Sequence, residues 1–225
     1  MWFVLVLCGI LLGCASAAPP ELSETSEGNG QAYRAYIFEV NTYQEVVYNG
    51  RPLAISYTYN GEGKPDIVYY SSSRDRAEDR RGSRTDPTDT GTYHVRLLSP
   101  GTGKNIPTKE FFAEFVILKR PVNIEAEKKQ RAVYNGDPKR IQASVTPSVS
   151  LSISYFPNKE LMDAAKETVE NTPPGQRTTT QTFAGYRRVE RPPTEPGTYH
   201  VWIYYAGDNN NESASEEVEF TILPP

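Results

Sequence analysis

A mainly β chain built from two tandem small domains is what this sequence predicts, on three observations. Short segments recur in the same order: Val47-Tyr48-Asn49-Gly50 as Val133-Tyr134-Asn135-Gly136, Pro87 to Val95 as Pro193 to Val201, and Phe115 to Leu118 as Phe220 to Leu223. The offsets are 86 for the first (47 to 133) and 106 and 105 for the other two (87 to 193, 115 to 220). Such a period is domain-sized, far longer than one solenoid turn. Apolar residues alternate with polar ones at period two, the mark of half-buried strands. Finally, 15 tyrosines are punctuated by 18 prolines and 16 glycines, a mixture that fits strands separated by turns.

The chain opens on Trp2 to Gly13, an uncharged apolar run of 12 among 225 residues. Spanning a bilayer takes roughly 20 residues, so the run reads as a signal-peptide core. Ala15-Ser16-Ala17 then offers an A-x-A cleavage site, which sets residues 1–17 as the leader. Both cysteines, Cys8 and Cys14, lie within it, so the mature chain has no intramolecular disulfide. Residues 18–32 are polar, acidic and Gly/Pro-bearing, and read as a flexible tether.

The first repeat occupies 33–119. Tyr36, Phe38 and Val40 share one face of a strand, and Leu53, Ile55, Tyr57 and Tyr59 repeat the alternation before an Asn60-Gly61 turn. Ile67 to Tyr70 is a third strand. Tyr93, Val95 and Leu97 alternate against His94 and Arg96, and Ala113, Phe115 and Ile117 close the unit. The second repeat, 120–225, matches it: Val122, Ile124 and Ala126, then Leu151, Ile153 and Tyr155, then Tyr199, Val201, Ile203 and Tyr205, and last Val218, Phe220 and Ile222. Only Lys119-Arg120-Pro121 separates the repeats, which favours a restrained pair over freely swinging beads. The 20 residues by which the offsets differ fall between Tyr155 and Pro193. There Asn158 is an N-cap candidate and Leu161, Ala164, Ala165 and Val169 have helical spacing, so a helical insertion is expected at about 158–171. In the first repeat Ser71 to Arg84 stands in its place, either a helical turn or a solvated loop.

Two resemblances follow from these residues. Leu11-Leu12-Gly13-Cys14 resembles the lipobox of bacterial lipoproteins, which implies that Cys14 is diacylated and becomes the new N-terminus, anchored in a membrane. The V-Y-N-G-x-P turn, the P-T-x-x-G-T-Y-x-V lead-in to a late strand and the closing F-x-I-L strand, each present twice, resemble the MBG modules of bacterial surface proteins and adhesins. That resemblance implies a non-catalytic β-rich stalk or ligand-presenting module outside the cytoplasm. Two topologies stay open. Asp89-x-Gly91-x-Tyr93-x-Val95 looks like the tyrosine corner of immunoglobulin-like domains, whereas the strand–strand–helix–strand–strand order of the second repeat resembles a β-grasp.

The chemistry that the sequence excludes is broad. With a net charge of −4 and a pI near 5.4, the chain lacks the basic footprint of a nucleic-acid binder. No G-x-S-x-G, H-E-x-x-H, P-loop or dinucleotide motif is present, so no catalysis and no cofactor are expected. The two histidines, His94 and His200, occupy equivalent strand positions without converging metal ligands. Glu216, Glu217 and Glu219 read as a solvated sheet edge. Arg74, Arg76, Arg80, Arg81 and Arg84 offer a polyanion site, centred on Arg80 and Arg81, or pair with Asp75, Glu78, Asp79 and Asp86 in a self-neutralised loop. Trp202 and Tyr204 share the outward face with His200, and either form a recognition surface or pack beneath the inserted helix. The expected function is that of an exported, lipid-anchored protein for adhesion, interaction or spacing, with a membrane and an unidentified protein or glycan as partners. The alternative is a soluble secreted binding module that uses Trp202, Tyr204 and the loop from Asp208 to Asn211, which also carries an Asn211-Glu212-Ser213 sequon.

Overall fold

A computed structural model describes residues 36–100, 108–172 and 191–225. The signal peptide, Cys14 with its lipobox, the tether, residues 33–35 of the first repeat and most of the Pro100–Pro107 loop lie outside the described residues.

Each repeat folds into the same arrangement. In the first, β1 (Phe38–Val40), β2 (Tyr43–Val47), β3 (Tyr57–Tyr59) and β4 (Asp66–Tyr70) precede a short helix α1 (Ser73–Ala77), then β5 (Gly91–Leu98) and β6 (Glu110–Leu118). In the second, β7 (Asn123–Glu125), β8 (Lys129–Val133), β9 (Ser144–Thr146) and β10 (Ser152–Phe156) precede α2 (Lys159–Glu170), then β11 (Gly197–Tyr205) and β12 (Ala214–Leu223). The strand orders are β2-β6-β5-β4 and β8-β12-β11-β10, each facing a two-stranded sheet, β1-β3 or β7-β9. In both large sheets the first pair is parallel and the others antiparallel.

The alternation read from the sequence supplies the cores. Val95, Leu97, Ala113, Phe115 and Ile117 pack against Phe38 and Ile55 across the two layers. Val201, Ile203, Val218, Phe220 and Ile222 do the same with Ile124 and Ile141. The backbone contacts repeat with the residues. The Ile55 amide donates to the Tyr69 hydroxyl at 3.0 Å and that of Ile141 to Tyr155 at 3.3 Å, joining the layers. At one edge the Gln44 amide donates to the Ser56 carbonyl at 2.7 Å and accepts from its N–H at 2.9 Å, and Gln130 does likewise to Gln142, at 2.7 Å in both directions. Each glutamine side chain thus ties the edge strand of the large sheet to the segment that precedes or enters the smaller one.

This is a two-layer sandwich, so the immunoglobulin-like alternative holds and the β-grasp alternative does not. A β-grasp sheet carries its helix on the face that forms its core; here that face is taken by the two-stranded sheet. The tyrosine corner is formed twice: Tyr93 Oη donates to the Asp89 carbonyl at 2.8 Å, and Tyr199 Oη to that of Glu195 at 3.0 Å. Between them Gly91 and Gly197 adopt φ of 150° and 155°, conformations that L side chains rarely take, which explains the glycine in the repeated motif.

The inserted helix is present with the expected cap, Asn158 Oδ1 accepting from the Leu161 amide at 3.0 Å. It is an elongation rather than a novelty, because α1 starts at the equivalent place, capped by Ser72. Its buried face is Met162, Ala165 and Val169, with Leu161 and Ala164 at the margin. Other expectations are corrected. Glu216, Glu217 and Glu219 do not guard an edge, because β12 runs between β11 and β8. Tyr57 is exposed at the rim, since the strand spans only three residues there. Strands β2, β8 and β9 were not anticipated. Their alternation spans three to five residues, too few to register as a period.

Candidate functional site

The most elaborate polar constellation in the described residues is the joint between the two sandwiches. It grows from the turn after β11, where Gly207 takes φ of +81° and a Cβ would lie 2.9 Å from the Ser213 amide nitrogen. The turn is organised by one carboxylate. Asp208 Oδ1 accepts from the amides of Asn210 and Asn211, both at 2.7 Å, and Oδ2 accepts from the Tyr205 hydroxyl at 2.7 Å and from Asn211 Nδ2 at 2.8 Å. Desolvation pushes this carboxyl up, but the Tyr205 and Asn211 side chains and the two backbone amides outweigh it and bring it down to about 2. Burial, then the Asp208 hydrogen bond, pushes the Tyr205 phenol up to about 12.

The ordered turn grips the linker and the first domain. Arg120 pairs as a parallel bridge with Asn211: its amide donates to the Asn210 carbonyl at 2.9 Å, and its carbonyl accepts from Glu212 at 3.0 Å. Its guanidinium donates from Nε and Nη2 to Asn211 Oδ1 at 3.0 and 2.9 Å, and lies 5.4 Å from the Tyr48 ring centroid. Lys119 Nζ donates to the Asp208 carbonyl at 2.6 Å. Beyond the linker, the Thr90 amide donates to Asn210 Oδ1 at 3.0 Å, Thr90 Oγ1 to the Asn209 carbonyl at 2.5 Å, and Asn210 Nδ2 to Asp89 Oδ1 at 3.3 Å. The loop from Asp208 to Asn211 is thus engaged within its own chain. Asn211 is 6 % exposed and its Nδ2 points at Asp208, which leaves the sequon nitrogen no room for a glycan.

The other candidate residues fall in two places. Trp202 and Tyr204 are buried, their rings stacked 4.7 Å apart, and cluster with Phe156 of the adjacent β10 beneath Met162, Ala165 and Val169 of α2. The exposed-aromatic surface is therefore not there, because α2 covers it. His200 is half-buried beside that helix, in a groove of about 430 Å³ with Lys128, Lys159 and Glu217. The charges around it are matched: Lys166 pairs with Glu217, which Lys159 also approaches at 3.5 Å, Lys128 pairs with Glu216, and Lys129 with Glu219 at 3.4 Å. The Lys166 hydrogen bond holds the Glu217 carboxyl below its usual range. Among the described residues no three His, Cys, Asp or Glu side chains converge as metal ligands.

The arginine segment is largely self-neutralised. Arg74 and Arg80 meet Glu78 at 3.0 and 2.5 Å, Arg84 forks onto Asp66 at 2.7 and 2.9 Å, and Arg96 reaches Asp79 at 3.2 Å. Arg81 is exposed, with φ of 56°. The joint itself was the feature hardest to anticipate. Its only sequence signal is the polar run Asp208 to Asn211 after a glycine, which announces a turn and not what the turn holds.

Fold and joint together define a tandem pair of β-sandwich modules. No family model matches the chain, and no curated protein matches it. Among solved structures, the titin domains Z1Z2 in complex with telethonin match with a TM-score of 0.34 and 12% identity, over 87% of this chain and 100% of that one. The insect immune protein hemolin matches at 0.29 and 15%, over 89% and 49%, and the two domains IG1+IG2 of DIP-gamma at 0.27 and 12%, over 84% and 97%. The chain spans about half of hemolin.

Proposed function

We propose that this chain is a non-catalytic, exported spacer or interaction protein, anchored through a lipid on Cys14, whose two sandwiches act as one stiff unit. The observation that carries the reading is the joint. Five hydrogen bonds hold the three-residue linker to the turn after β11, and three more tie that turn to the first sandwich, which serves a protein that must hold its two domains in a set orientation. Neighbouring charge is consistent with this reading: the acidic groups near His200 and four arginines near α1, Arg74, Arg80, Arg84 and Arg96, are already paired, and Trp202 and Tyr204 of the second domain serve its core. The binding-module alternative thereby loses Trp202 and Tyr204 as its contact surface.

Two measurements test it. A palmitate analogue fed to the producing cell is expected to label the wild-type chain and not Cys14→Ser. Protease added to intact cells is expected to degrade the chain. Label persisting in Cys14→Ser sinks the anchor, and protection from protease sinks surface display.

A further inference from the structure

The two edge strands β2 and β8 are equivalent in the repeat, yet they carry opposite charge. Position 45 in β2 corresponds to 131 in β8, at the same offset of 86 as the VYNG motif (45 to 131), and the residues are Glu45 and Arg131. Each is the central residue of a five-residue strand at the end of its four-stranded sheet. Even-numbered residues of both strands pair inward: the Thr42 carbonyl accepts from Glu114 and the Lys128 carbonyl from Glu219, while the amides of Tyr48 and Tyr134 donate to Leu118 and Leu223. Odd-numbered residues therefore turn their backbone groups outward, Tyr43, Glu45 and Val47 on one edge and Lys129, Arg131 and Val133 on the other. The Tyr43 amide also reaches Asn41 Oδ1 at 3.2 Å. By contrast, the far edge of the first sheet is closed, Tyr69 and Ser83 exchanging hydrogen bonds of 2.8 and 2.9 Å.

The outward side chains are exposed and in part apolar: Tyr43 is 49%, Val47 48% and Val133 59% exposed. An edge of this kind is a template for another strand unless charge prevents it. Charge here selects the partner. β2 against β2 sets Glu45 opposite Glu45, and β8 against β8 sets Arg131 opposite Arg131; both are like-charge pairs and disfavoured. β2 against β8 sets Glu45 opposite Arg131.

The geometry points to self-association of this chain through antiparallel pairing of β2 of one copy with β8 of another. The register is Tyr43 opposite Val133, Glu45 opposite Arg131 and Val47 opposite Lys129, each a pair that exchanges backbone hydrogen bonds. All six side chains then lie on the same outer face, and the two four-stranded sheets run into one. The two-stranded sheets keep their places on the inner side, with the Gln44 and Gln130 clamps undisturbed.

Sedimentation velocity of the full-length chain in mild detergent at low salt reads this contact. The wild type is expected to associate with rising concentration and to dissociate when salt is raised. Glu45→Arg alone and Arg131→Glu alone each put like charges opposite one another and are expected to weaken association about tenfold. An equimolar mixture of the two variants is expected to recover it, since each then offers the edge that the other lacks. Circular dichroism of both variants confirms that the sandwiches are folded. A wild type that stays monomeric, single reversals that associate unchanged, or a mixture that does not recover each overturns the proposal.

Discussion

Arg120, in the linker, directs two guanidinium nitrogens at 3.0 and 2.9 Å onto the side-chain oxygen of Asn211, 91 positions later. Asn211 in turn passes its amide group to Asp208 at 2.9 and 2.8 Å. One buried amide thus connects the linker to the carboxylate that shapes the turn.

Asn211→Ala removes the acceptor of Arg120 and a donor to Asp208 while leaving both sandwich cores intact. Breaking a buried polar contact to a charged group costs about 1.5–3 kcal/mol. The expected outcome is a joint that opens before either domain unfolds. Limited tryptic digestion should cut after Lys119 in the variant and not in the wild type, and small-angle scattering should show a broader distribution of overall dimensions. An unchanged cleavage pattern contradicts a stiff joint.

The same joint has a pH signature at both ends. Its hydrogen bonds bring the Asp208 carboxyl from the ordinary 3.8 down to about 2, so its contribution is complete above the unfolded value and is lost as pH falls from about 4 to about 2. Tyr205 is raised from 10.0 to about 12, so its contribution is complete below 10 and is lost as pH rises toward 12. Melting temperature is expected to be flat with respect to these two groups from pH 5 to 9. Asp208→Asn should flatten the acid limb and Tyr205→Phe the alkaline one; variants that keep both limbs would show that other groups control the profile.

Trp202 is 4% exposed under α2, and its removal leaves a large void between helix and sheet. Trp202→Ala is expected to cost about 3–5 kcal/mol, read by chemical denaturation, with loss of helical signal near 222 nm as α2 detaches. A recognition residue behaves differently, losing binding at unchanged stability. The prediction therefore separates a core role from a contact role.

How far the sequence carried depends on whether a feature repeats in a pattern or rests on single residues. The sandwich cores were readable because Val95, Leu97, Val201 and Ile203 alternate, and α2 because its cap and spacing agree. Tyr93 and Tyr199 announced their corners through a motif of several residues. The stacking of Trp202 is not legible in the sequence, because a period-two pattern marks a face without saying what covers it. The grip of Asn211 on Arg120 was not readable, since it joins two polar residues distant in sequence and no periodicity relates them. Nor were Gln44 and Gln130, single glutamines whose partners lie 12 positions on.

Those glutamines lead to a prediction that uses the repeat as its own control. Each amide makes two hydrogen bonds to one backbone unit, that of Ser56 or Gln142. Ser56 and Gln142 are exposed and the two glutamines half-buried, so water replaces part of what is lost, and each bond is worth about 0.5–1.5 kcal/mol. Gln44→Ala is expected to speed hydrogen exchange at the Ser56 amide about fivefold or more, with the Gln142 amide unchanged, and Gln130→Ala to do the reverse. Gln44→Glu keeps an acceptor for the Ser56 N–H but has no donor for its carbonyl, so it should fall between wild type and alanine above pH 6. If both amides accelerate in either single variant, the clamps are not local devices and the two sandwiches open together, which would make the joint, and not the sheet edge, the unit of local stability.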